Sequence, residues 1–176
     1  QETALRDAAE KSGPVSEAAE KTIAQGDSAM RELHRGAKCS RCVWATPLED
    51  GAETLLPHCG KARQLARLAC ARARLNFQEG RPAAAIDDLA ATMTLGRHLA
   101  TDGVLVSVLV DYAIERLAIE TAARHLGDLQ PAQLQEFAAR LHRLPAATTM
   151  HRAMETEKEC LLEPFIRDLS GPEGKE

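Results

Sequence analysis

Aromatic side chains are nearly missing from this sequence: Trp44, Tyr112, Phe77, Phe137 and Phe165 are the whole supply, 3% of the chain. That leaves little with which to stack bases or sugars. Concentrated positive charge is missing as well, because 22 Lys and Arg are scattered among 26 Asp and Glu for a formal net charge of -4. Phosphate binding depends on clustered cations that release counterions, so the reading is of no nucleic-acid partner. No apolar run approaches the roughly 20 residues of a bilayer-spanning helix. The longest, Val104 to Val110, contains Ser107 and stops at Asp111. The sequence also has no phosphate loop, dinucleotide glycine pattern, His-Glu-x-x-His or serine-hydrolase elbow. Nor does it have the Glu-x-x-His pairs from which helical bundles build di-iron centres. Enzymatic chemistry is therefore the lesser expectation.

What is abundant is alanine, leucine and arginine, with few β-branched residues outside Val104 to Val110. These are helix formers, and their 3.6-residue spacing predicts an all-α antiparallel bundle of about six helices. A weak helix is expected at Glu2–Lys11, then one at Val15–Arg35 with Gly26 as a soft spot and Gly36 as a left-handed terminator. Helices at Lys61–Gln78 and from Pro82 to Leu99 form a central hairpin closed by Gly80. Gly103–Leu126 follows, capped by Thr101 or Asp102, then a helix from Pro131 to Pro145 using Leu134, Phe137, Ala138 and Leu141 inward. The last, Thr148–Phe165, buries Met150, Met154, Leu161 and Leu162. Residues 1–169 are read as a single helical domain with a long loop at 37–60, and 170–176 as a flexible tail. Gln1 stands where an initiating Met would, which raises the expectation that a segment upstream was removed, by signal cleavage or otherwise.

The stretch Ala73 to Leu95, ARLNFQEGRPAAAIDDLAATMTL, resembles a tetratricopeptide repeat. Small Ala73 and Ala85 let two helices approach, and Gly80 permits the turn between them. It departs from the repeat in placing Asn76 where an aromatic belongs and in opening without tryptophan. It also lacks a second copy. A wider likeness runs through Cys42-Val43-Trp44, Leu56-Pro57-His58, Ala62 to Leu68, the Gly80 turn and Gly96-Arg97-His98. There the chain is similar to a group of bacterial helical domains without assigned activity. The resemblance implies architecture and an extracytoplasmic location, periplasmic or secreted, with the cytoplasm as the alternative.

Chemistry gathers in two places. In the loop, Cys39-Ser40-Arg41-Cys42 precedes His58-Cys59, and these four soft ligands are a candidate zinc set. The alternatives are a disulfide between two of Cys39, Cys42 and Cys59, or free thiols; five cysteines are an odd number, so at least one thiol is unpaired within the chain. Val43 excludes c-type haem attachment, and no βαβ pattern suggests a thioredoxin-like pair. On the central helix, Asp111 and Glu115 lie in line with Val104, Val108, Ala118 and Ala122. Either Arg97, Arg116 and His98 pair with them in an internal network, or His98, Asp111, Tyr112 and Glu115 line a polar ligand pocket. His151 and Glu155 read as a solvated face. The expected function is a protein-interaction or scaffold module, using the repeat-like face or the loop around Trp44; the alternative is a small metal- or ligand-binding protein built on Cys39, Cys42, His58 and Cys59.

Overall fold

The structure, a computed structural model, describes residues 2–11, 13–48 and 54–169. Among them every regular element is helical: α1 (Glu2–Glu10), α2 (Glu17–Gln25), α3 (Asp27–Gly36), α4 (Pro57–Gln78), α5 (Pro82–Leu99), α6 (Leu105–Ala123), α7 (Pro131–Leu141), α8 (Met150–Glu157) and α9 (Glu163–Leu169). The tail expected at 170–176 and the stretch 49–53 of the long connection lie outside the described residues.

The centre is the antiparallel succession α4, α5, α6, whose members pack most extensively on one another. Gly80 makes the first reversal. It takes φ +71°, while the Arg81 amide reaches Asn76 O at 2.8 Å and the Gly80 amide reaches Phe77 O at 3.1 Å. These two bonds satisfy the last carbonyls of α4 in the manner of a Schellman motif, and Pro82 then opens α5 where its missing N–H costs nothing. Ala73 and Ala85 are fully buried between the helices, and Cys70, Ile86, Leu89, Met93, Ala118 and Phe137 complete that core. Each large side chain sunk there is worth about 1.5–3 kcal/mol.

The segment expected as one helix from Val15 to Arg35 is two. Gly26 ends α2 and precedes α3, and a Cβ there would lie 2.5 Å from Leu68 Cδ2. The break lets α2 and α3 wrap α4, burying Ile23, Met30 and Leu33 against Leu68. Gly36 ends α3, yet among the described glycines only Gly13, Gly80 and Gly103 take positive φ, so it is no left-handed terminator.

The C-terminal end of α1 is grasped by arginines from distant helices. Arg74 donates to Ala8 O and Gly13 O, and Arg124 donates to Ala9 O at 3.2 Å and Glu10 O at 2.8 Å. Carbonyls that a helix end leaves unpaired are thereby met by cations.

α6 is shorter than expected. Val104 occupies its N-cap position, and Asp102 contributes by accepting the Val104 amide at 3.1 Å, with Glu157 of α8 accepting the Leu105 amide at 2.9 Å. α8 buries Ala153 and Thr156 rather than the methionines, which are exposed, as is Leu162. α8 packs closely on the turn before α6, where Thr156 Oγ1 sits 2.8 Å from where a Cβ on Gly103 would stand. α7 buries Phe137 but leaves Leu134 and Leu141 over a third exposed.

Candidate functional site

The loop chemistry is dispersed. Trp44 stacks on His58 with ring centroids 4.8 Å apart and donates its indole N–H to His98 O at 2.8 Å. Thr46 donates to Asp102 Oδ2 at 3.0 Å, and Ser107 donates to the same oxygen at 3.2 Å. Trp44, partly buried, thus fastens the loop to the α5–α6 turn. Cys59 is buried with its thiol 3.7 Å from Ser107 Oγ, whereas Cys39 is exposed beyond the end of α3. The four residues expected as a zinc set are therefore not brought together. Among the described residues no three His, Cys, Asp or Glu side chains converge as metal ligands, and all five cysteines are free thiols.

Nor is the cluster arranged for nucleophilic attack. Burial raises the Cys59 thiol, with the Ser107 hydrogen bond opposing, so the thiolate is disfavoured. Ser107 addresses Asp102 rather than a base, since His58 Nε2 is 3.9 Å from Asp102 and has no hydrogen-bond partner. Burial also pushes the Cys70 thiol up to about 12. Alkylation of the native protein followed by mass spectrometry is expected to label Cys39 first and Cys70 last, at least ~100-fold slower because Cys70 must wait for opening. Equal rates at the two would contradict this placement.

On α6 the two carboxylates part company. Glu115 accepts from Arg97 Nε at 2.5 Å, and Arg97 also donates to Pro145 O at 2.7 Å. Arg116 turns instead to Glu120 at 2.7 Å. Asp111 is fully buried, both of its oxygens lack hydrogen-bond partners, and Oδ1 lies 2.4 Å from the position of a Cβ on Gly96. Burial, with Glu115 close by and Arg97 opposing, pushes its carboxyl up to about 7. The expected internal network thus includes Glu115 and omits Asp111. Tyr112 is 40% exposed and His98 is buried, its pKa lowered by that burial. Neither lines the groove to which Glu115 contributes.

Two features escaped the sequence reading. The first is a polar cluster around Asp88, which is 1% exposed. Arg72 grips it with Nε at 2.9 Å and Nη2 at 2.6 Å, Asn76 Nδ2 donates at 3.1 Å, and His34 Nε2 lies 2.8 Å away. Asn76 Oδ1 in turn accepts from Arg81 Nε at 3.0 Å and Nη2 at 2.8 Å. The second is an apolar groove of about 500 Å³ between α5, α6 and α7, lined by Met93, Ile119, Ala122, Leu126, Leu134, Phe137, Leu141 and Leu144, with Arg97 and Glu115 toward one end. The half-exposed leucines expected to face inward signal it only in hindsight.

No family model, curated protein or solved structure matches this chain.

Proposed function

We propose that this chain is a non-enzymatic protein-interaction module that seats an amphipathic helix of another protein in the groove between α5, α6 and α7. The observation that carries the proposal is the clustering of Ile119, Leu126, Leu134 and Leu141, 55%, 42%, 38% and 38% exposed, around one concavity rather than singly over the surface. Scattered apolar side chains need no explanation, whereas a contiguous lined groove does. Helix-in-groove recognition uses anchors at i, i+3, i+4 and i+7 set into such a trough. The Arg97–Glu115 pair at one end gives a partner polar groups against which to fix its direction. In this reading α4 and α5 form a single tetratricopeptide-like unit, with Met93 and Arg97 of α5 supplying one wall. The raised thiols of Cys42 and Cys59 fit a role without covalent chemistry.

A display library of helical peptides panned against the protein provides the test. Selected sequences are expected to be amphipathic, to shift backbone amides of α6 and α7 in nuclear magnetic resonance spectra, and to bind Ile119→Asp/Leu134→Asp at least ~100-fold more weakly. Both side chains are partly in solvent, so the fold survives the pair of changes. Binders indifferent to the substitutions, or shifts elsewhere on the molecule, would sink the proposal.

A further inference from the structure

A second cavity lies on another face, between α2 and α3 on one side and the α4–α5 turn on the other. It measures about 440 Å³, within the range of about 300–1,000 Å³ common to small-molecule sites. Its walls carry opposite charges: Arg72 and Arg81 on the hairpin face Glu20 and Asp27 on α2 and α3, with Ile23 and Leu75 among the apolar residues between.

The cationic wall is held from behind. Asp88 takes two nitrogens of Arg72 and, through Asn76, fixes Arg81, whose Nη2 also pairs with Glu79, so both guanidinium planes are set before any ligand arrives. Groups locked by hydrogen bonds from a second layer lose little entropy on binding. Arg72 Nη1, its remaining nitrogen, faces Asp27 at 4.0 Å, too far for a hydrogen bond. Asp27 and Glu20 are exposed on their helices. They are free to follow a ligand.

A bare anion at the guanidinium wall meets repulsion from Glu20, Asp27 and the Glu79 that pairs with Arg81, and a bare amine leaves Arg72 Nη1 without a hydrogen bond. A molecule bearing both charges satisfies both walls. We infer that this cleft binds a small zwitterion, of the class of free amino acids and dipeptides, with its carboxylate on Arg72 and Arg81, its ammonium on Asp27 and Glu20, and its side chain against Ile23 and Leu75.

Titration of the protein with L-leucine and with L-alanyl-L-alanine, followed by backbone amide shifts, tests this. Shifts are expected in α2, α3 and the Gly80 turn, with the stronger of the two ligands identifying amino acid or dipeptide as the occupant. Propionate and propylamine, which carry one charge each, are expected to bind at least ~10-fold more weakly. Asp27→Asn, whose side chain is 64% exposed, is expected to weaken the better ligand at least ~10-fold while leaving the remaining spectrum unchanged, and Arg81→Gln to weaken it as much while also shifting Asn76 and Asp88, to which Arg81 is linked. No shifts with either zwitterion at tens of millimolar overturn the assignment. So does equal binding of propionate or propylamine, or affinity unaltered in both variants. The groove between α6 and α7 takes no part in this readout, so the two sites fail or succeed separately.

Discussion

Asp111→Asn is expected to make the protein markedly more stable above neutrality and to change little in acid. The carboxyl titrates at about 7 in the folded chain, against about 3.9 for an unhindered aspartate. Below the lower value both states hold the proton and the residue costs nothing extra. As pH climbs from there, the unfolded chain ionises while the buried group does not, so stability drains by about 1.4 kcal/mol per pH unit until the folded carboxyl itself ionises near 7. The accumulated loss is about 4 kcal/mol, an upper figure because the site can relax or admit water. Asparagine keeps the shape and cannot ionise. Urea unfolding at a series of pH values should show the wild-type curve falling between pH 4 and 7 relative to the variant, with Tm at pH 8 about 10 °C higher for Asp111→Asn. The groups bearing on Asp111 are Glu115, which augments its rise, and Arg97, which opposes it. Parallel curves would mean that Asp111 finds a partner in solution.

The opposite sign is expected for Asp88→Ala. Asp88 is as deeply placed as Asp111, yet three donor nitrogens of Arg72 and Asn76 surround it, with His34 Nε2 also 2.8 Å away. Removing it strands a guanidinium that is only 23% exposed together with a buried amide, and the loss is expected to be about 3–5 kcal/mol. Asp88→Leu combined with Arg72→Met should recover part of this, because a buried ion pair exchanged for apolar groups is close to neutral whereas half of one is not. Denaturant midpoints for the single and double variants decide it. A single variant within 1 kcal/mol of wild type would show that the cluster carries no weight.

The contrast between these two aspartates explains what could be read from residue order alone. Helical spacing of Ile86, Leu89 and Met93, Pro82 at a helix start and Gly80 at its end are local signals, and the α4–α5 hairpin follows them closely. The break at Gly26 reads from residue order only as a weakness, since its cause, Leu68, lies far along the chain. Asp111 stood out because it interrupts an apolar stripe. Its lack of a partner did not, because whether Arg97 chooses Asp111 or Glu115 depends on how α5 and α6 are rotated against each other. Asp88 went unnoticed beside Asp87 in a run that looks like an ordinary solvated edge, and Arg72 and Asn76, one turn apart on α4, look equally unremarkable. Their meeting is a product of tertiary packing. The cysteines misled in the reverse direction: Cys-x-x-Cys beside His-Cys suggests convergence, but Cys39 follows α3 while Cys59 sits in the first turn of α4, and the Trp44–His58 stack holds the histidine elsewhere.

The arginine grip on the first helix bears on the order in which this chain comes together. α4, α5 and α6 are neighbours along the sequence, so their pairing closes only short loops and can proceed quickly. α1 must instead be fetched back across a separation of 66 positions to reach Arg74 and 115 to reach Arg124. Its recruitment is expected to follow the framing of both residues by their own helices, so that in hydrogen exchange the amides of the amino-terminal segment open before those of the centre.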